Sequence, residues 1–326
     1  MKYNHQLSSV VRSLSLAGSL VLCFSSAKAG TVAYWRFEEG PAGVNIAHTV
    51  GNGVFQAAVF DASGNGNHLS AFTADNWGAS HYTTDVAASL LPAGLANSYS
   101  IKNSGGYPGL WAASSYIGQS WTPDRWTIEA AFKPENGGWR TLVGRDSRGT
   151  ATINGDLAAL YFQITPDNQM AIKYCDVAGF WHEAISGAGL VKGFNWGTDP
   201  DGLTGVWQAA AAVCTGTTLS LYYRNLDANS GWDLVAQTDL TLSGSPNLSL
   251  TGGAGDGGDW DAGNWSVGRG LYAGGHGDRA YGFIDEVRIS DSALSIGQFI
   301  FVPEPSAMAL ALLGGLGLFA RRSARR

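Results

Sequence analysis

The strongest strand signal in this chain lies at its far end, in residues 281–294, YGFIDEVRISDSAL. β-Branched and aromatic residues run from Phe283 to Ile289, with Gly282 before them and Asp291-Ser292 behind as breakers. On a regular pleat Phe283, Asp285, Val287 and Ile289 share one face, and Ile284, Glu286 and Arg288 share the other. The first face then holds one carboxylate, Asp285, which on burial needs hydrogen-bond donors or a metal. Glu286 and Arg288 are expected on a solvated face. A strand so close to the end of a chain is useful only if it closes a sheet begun far upstream. Its natural mate is residues 31–38, TVAYWRFE, which also alternate.

Further strands follow at turn-bounded intervals. In residues 126–132, Trp126, Ile128, Ala130 and Phe132 fall on one face. Residues 157–164 and 170–175 make a hairpin across Thr165-Pro166-Asp167-Asn168, and residues 207–214 and 218–224 make another across Thr215-Gly216-Thr217. Residues 232–240 and 265–269 add strands, and only residues 292–299 could form a short helical turn. Glycine is 45 of 326 residues and charged residues are 14%, against about a quarter in ordinary soluble domains. Many tight turns between short strands produce that composition. The prediction is one all-β domain over residues 30–301, two antiparallel sheets packed face to face.

Both ends read as addresses. Residues 1–29 hold Lys2 and Arg12, an apolar run over 14–24, and Ala27-Lys28-Ala29, the small-x-small pattern of a secretory signal peptide cut after Ala29. The competing reading, a short membrane anchor, has too short an apolar run to span comfortably. Residues 302–326 contain Pro303-Glu304-Pro305, an apolar run over 307–320 and the basic end RRSARR. This tail resembles the PEP-CTERM sorting signal of Gram-negative bacteria. The resemblance implies an exosortase-type processing enzyme as partner, transient membrane insertion through the apolar run, and delivery to the cell surface or extracellular matrix. An ordinary C-terminal membrane anchor is the alternative. The net charge is −6; removing Lys2, Arg12 and Lys28 leaves −9, and losing the tail's four arginines and Glu304 leaves −12. So acidic a chain is a poor partner for nucleic acid.

The start VAYWRFEEG, the following DASGNGNHL, the hairpin WQAAAAVCTGTTLSLYYRN and the closing GFIDEVRISDSALS together resemble the LamG-like jelly roll of the concanavalin A-like lectin/glucanase superfamily. In the hairpin, Thr215 stands where that family usually has an acid. The resemblance implies a two-sheet jelly-roll sandwich with its first and last strands side by side. It says little about function, because the superfamily holds lectins, adhesion modules, glycosidases and spacers.

The site chemistry is sparse. Cys175 and Cys214 remain after processing, and an exported protein meets an oxidising compartment, so a disulfide between them is expected, with two buried thiols as the alternative. Superfamily glucanases carry Glu-x-Asp-x-x-Glu or a similar strand that aims its carboxylates together. No such run occurs here: Glu129 stands alone on its strand, and adjacent Asp285 and Glu286 point to opposite faces of a regular one. Sugar sites need flat aromatic faces beside polar groups. Trp139, Trp181 with His182, Trp196 and Trp260 are the candidates, each equally able to cap the core. Asp256, Asp259 and Asp261 lie among glycines as a hard cation would want, and the resemblance adds Asp285 as a second candidate ligand for one Ca2+. The reading is an exported, surface-displayed, non-enzymatic adhesion or recognition module for polysaccharide. A structural matrix protein and a divergent glycan hydrolase or lyase are the alternatives.

Overall fold

The computed structural model of the protein describes residues 30–47, 50–51, 54–72, 80–91, 94–103, 109–112, 117, 120–146, 158–252, 264–272 and 275–302. In chain order, the strands of its two large sheets are β1 (Thr31–Trp35), β2 (Leu69–Phe72), β3 (His81–Thr83), β4 (Ser100–Asn103), β5 (Gly109–Ala112), β6 (Trp126–Pro134), β7 (Arg140–Arg145), β8 (Leu160–Ile164), β9 (Met170–Cys175), β10 (Trp181–Ile185), β11 (Gln208–Cys214), β12 (Thr218–Asn225), β13 (Asp233–Asp239), β14 (Trp265–Val267) and β15 (Gly282–Ser290). An eight-stranded sheet runs β13-β12-β11-β6-β15-β4-β3, with β1 also pairing β15; a seven-stranded sheet runs β10-β9-β8-β7-β14-β5-β2. All the paired strands are antiparallel. The protein is an all-β, two-sheet sandwich. Among the described residues the helical turns are 3-10, Leu240–Ser243 and Ile296–Gln298, the second inside the 292–299 segment.

The ends meet as expected. Trp35 pairs with Val287 and Ala33 with Ile289. On the other edge of β15, β6 runs its whole length, from Thr127 opposite Ser290 to Pro134 opposite Gly282. Both predicted hairpins form, β8 with β9 and β11 with β12. Between the sheets Trp35, Trp126, Ile128, Phe132, Phe162, Tyr174, Trp265, Val287 and Ile289 are buried in one cluster. Trp126 meets Tyr174 edge-on at 5.6 Å, an arrangement that aromatic quadrupoles favour.

One part of the strand pattern differs from the regular pleat. The β6–β15 register jumps from Glu129 opposite Arg288 to Ala131 opposite Asp285, and Glu286 takes a φ of 50°. That is a β-bulge: two residues on β15 face one on its partner. It shifts the alternation by one. Ile284 faces the core with Val287 and Ile289, while Phe283 turns outward to Trp207 and Phe194. Gly282 makes the approach possible: its φ is 112°, and a Cβ there would collide with the Lys133 carbonyl.

The expected disulfide is not formed. Cys175 lies on β9 and Cys214 on β11, in opposite sheets, and both are free, buried thiols. Tyr174 points into the core beside Cys214, so Cys175, the next residue of the same strand, points away from it. Cys175 packs against Ala159 instead. Burial pushes the Cys175 thiol up to about 12 and raises that of Cys214, which leaves both unreactive in the fold.

Two outcomes follow from this packing. Trp35→Ala empties a fully buried indole site and should cost about 3–5 kcal/mol in urea unfolding. In denatured, unreduced protein both Cys175 and Cys214 should label with a thiol reagent; their failure to label would restore the bridge.

Candidate functional site

The outward face of the eight-stranded sheet is roofed. Leu294 and Phe299 cover Ala211 and Val213, and Ile300 and Phe301 join Ala131, Trp207, Ala209 and Phe283. Glu129 fastens this roof: it accepts from Ile300 N at 2.7 Å and from Arg288 Nε at 2.7 Å, and Arg288 also donates to the Gln298 carbonyl at 2.6 Å. The seven-stranded sheet presents an aromatic platform on its own outward face, and that is the candidate site.

The turn between β9 and β10 builds this platform. Asp176 Oδ1 accepts from Ala178 N and Phe180 N, both at 2.9 Å, and Gly179 supplies the positive φ of 89° the turn needs. The turn sets Trp181 opposite Cys175 and Glu183 opposite Lys173, with Tyr161 next in the same row. The Trp181 indole lies nearly parallel to the Tyr161 ring, 25° apart with centroids at 6.3 Å, and Trp181 stays 41% exposed. Lys173 Nζ and Glu183 Oε2 form an exposed ion pair of 2.7 Å beside it. A supported, half-open indole flanked by a donor and an acceptor can stack on an apolar sugar face and bond its hydroxyls.

Strand alternation separates the expected Trp181-His182 pair. His182 is buried, bonded through Nε2 to Asp176 Oδ2 at 2.7 Å and packed 4.9 Å from the Tyr174 ring. It holds the turn from inside and offers nothing to a ligand.

Trp139 and Trp196 are also exposed, at 44% and 38%. Their loops touch, with Asn136 N donating to the Phe194 carbonyl at 2.8 Å. The polar neighbours of Trp196 are committed to its own loop. Asn195 Oδ1 accepts from Gly197 N, and Asp199 accepts from Leu203 N, Thr204 N and Thr204 Oγ1. Trp196 lies over the Lys102 ammonium at 5.9 Å, which Asp201 and the Pro200 carbonyl hold in place. Trp260, Asp256, Asp259, Asp261, Pro303, Glu304 and Pro305 lie outside the described residues.

The bulge changes the picture of the carboxylates. Asp285 and Glu286 do not part to opposite faces; both are fully buried, and the two carboxyls interact. Asp285 Oδ2 accepts from Ala87 N at 3.0 Å and Asn97 Nδ2 at 2.8 Å. Glu286 is bonded to Arg36 Nε at 3.1 Å and to the Tyr34 hydroxyl, so the solvated face expected for it does not exist. Burial, with the neighbouring Glu286 adding to it, pushes Asp285 well above the ordinary carboxylate range, and burial raises Glu286 to about 7. Two N–H donors occupy Asp285 Oδ2, while its buried Oδ1 has no hydrogen-bond partner. Among the described residues, no three His, Cys, Asp or Glu side chains gather as a metal centre.

Tyr161, Lys173 and Glu183 belong to this candidate site, and sequence reasoning passed them over. Their signal was present in the β8–β9 hairpin, whose register sets Tyr161 across from Lys173.

Residues 301–326 match the PEP-CTERM protein-sorting motif. The chain is therefore marked for export and sorting. Among the described residues no helix is long and apolar enough to cross a membrane; the apolar run over 307–320 and residues 1–29 lie outside them. No curated protein sequence matches the chain. Solved structures resembling it include the CBM40 domain of the Ruminococcus gnavus IT-sialidase, at 15% identity and a TM-score of 0.37, covering 54% of this chain and 80% of that one. The binding domain of botulinum neurotoxin serotype G aligns at 8% identity and a TM-score of 0.45, over 82% of this chain and 49% of that one. Leech intramolecular trans-sialidase aligns at 17% identity and a TM-score of 0.39, over 58% and 26%.

The buried carboxyls set a pH dependence. Both bind protons more tightly folded than unfolded. The Glu286 contribution is therefore full below its ordinary value of 4.5 and is lost as pH rises through about 7, and Asp285, also raised, acts in the same direction. The Tm should fall between pH 5 and pH 8, and Glu286→Gln should flatten that slope. An unchanged slope in the variant would remove Glu286 from the explanation.

Proposed function

We propose that the protein is an exported, surface-sorted recognition module that binds glycan without transforming it. In this reading residues 1–29 are its signal peptide and residues 30–301 its binding domain. The observation that carries the proposal is the Trp181 platform: an indole backed by Tyr161, open on the outward face of the sheet, with Lys173 and Glu183 beside it. An exposed aromatic held flat has already lost its conformational freedom, so stacking a sugar on it costs little further ordering.

The acidic chain favours neutral sugars on this face. Asp285 and Glu286 play no part in binding here: they are sealed in the fold, and the Arg36 and Tyr34 contacts hold Glu286 in place. The sorting motif supports display at the cell surface or in extracellular matrix, after processing by an exosortase-type enzyme.

A glycan array probed with the full-length protein tests this reading. Saturable binding is expected, and Trp181→Ala should weaken it about tenfold or more, a loss of about 1.4 kcal/mol, with the Tm unchanged. Trp139→Ala and Trp196→Ala should bind like wild type. Absence of binding to any glycan would favour a matrix spacer, and release of oligosaccharide would favour a hydrolase or lyase.

A further inference from the structure

A cavity of about 420 Å³ opens on the other side of the sandwich, between the end of β12, the turn at 226–231, the segment 87–90 and the C-terminal residues Phe301 and Val302. Its volume is in the range of small-molecule sites. Arg224, Asn229 and Ser230 supply polar lining, and Ala88, Leu226 and Phe301 apolar lining.

Arg224 is the unusual group. It is 5% exposed, yet among the described residues it meets only neutral acceptors: Nη1 donates to the Phe301 carbonyl at 2.5 Å and Nη2 to Asn229 Oδ1 at 2.9 Å. Its Nε is enclosed and has no acceptor. Burial alone pushes the guanidinium below its usual range, with no neighbouring acid to offset it. A guanidinium stays charged, and a buried charge without a counter-charge is costly. Three other bases in or beside the same sheet pair with acids: Arg288 with Glu129, Lys133 with Asp85 and Arg36 with Glu286.

The counter-charge has to come from elsewhere. We propose that this cavity is a binding site for a small organic carboxylate, with Arg224 as the group that recognises it. The planar fork of the guanidinium suits a carboxylate better than a spherical ion, and two of its five donors are engaged. Asn229, held at a φ of 48° in its turn, gives its oxygen to Arg224 and keeps its amide N–H groups for the ligand. Ala88, Leu226 and Phe301 take the apolar part of the molecule. The site lies on the opposite sheet from Trp181, so it stands independently of the glycan reading.

Titration calorimetry of the full-length protein with D-glucuronate, D-glucose and inorganic sulfate tests it. In the Trp181→Ala protein, which lacks the proposed platform for neutral sugars, glucuronate should bind saturably and glucose, its uncharged counterpart, should not. Arg224→Gln should weaken glucuronate at least tenfold. Ala88→Phe, which fills the cavity and leaves the Arg224 contacts in place, should do the same and decides the matter if the first variant folds poorly. Trp181→Ala should leave this binding unchanged. The proposal falls if glucuronate does not saturate, if Ala88→Phe binds it normally, or if sulfate binds as tightly and the site is one for simple anions.

Discussion

The β-bulge at Glu286 is the constraint on which the rest of the sandwich depends. β15 has to pair with β6 along one edge and with two strands in succession along the other, β1 over Val287–Ser290 and β4 over Gly282–Ile284. A regular strand offers one fixed alternation to both partners. The extra residue resets it, so that Ile284 on one side of the bulge and Val287 and Ile289 on the other all enter the core. It also puts two consecutive carboxyls on the outward side, where the fold must satisfy them. Glu286 does so through Arg36 and Tyr34 of the first strand's end, and Asp285 through Ala87 and Asn97 of the segment that roofs it. One backbone irregularity thus decides which side chains the opening strand and the covering segment have to provide.

The same logic governs the roof over the C-terminal end of β15. Arg288, next beyond the bulge on the outward side, pairs with Glu129 of β6, and that carboxylate reaches on to Ile300 N. The chain's last described residues are therefore held by side chains of the two central strands. Phe301 ends the arrangement, its carbonyl accepting from both Arg224 and the Trp232 indole. Just past this double contact lies Pro303-Glu304-Pro305. The sorting motif matched over residues 301–326 begins at Phe301, inside the described domain.

Much of this was legible in the sequence, because alternation and turn chemistry are local. The terminal pairing, both central hairpins and the inward face of β6 all follow from period-two patterns and the residues that break them. What was not legible depends on one-residue events or on distant geometry. A bulge leaves no mark on composition, and reading β15 as regular put Phe283 in the core, Ile284 outside it and Glu286 in solvent. The cysteines failed for a related reason. Each sits on a correctly located strand, but the partner sheet of a strand is set by crossovers that local pattern does not record. Of the site, Trp181 was visible as a loop-edge aromatic, whereas Tyr161 beneath it becomes visible only when the register of the β8–β9 hairpin is worked out.

Exposure alone does not pick out a binding surface here, since Trp139, Trp181 and Trp196 are open to similar degrees. Their surroundings separate them. Trp196 faces a lysine, and the asparagine and aspartate near it are spent on turn hydrogen bonds. Trp139 sits on a tight turn, its carbonyl accepting from Arg140, whose guanidinium packs on Tyr281. Trp181 alone of the three is on a strand, stacked on a second aromatic, with a charged donor and acceptor that bond each other across the sheet surface. An exposed ion pair of that kind contributes little to stability, so giving up part of it to a ligand's hydroxyls costs the fold little. A rigid aromatic beside cheaply released polar groups is the arrangement a surface needs if it is to bind without rearranging.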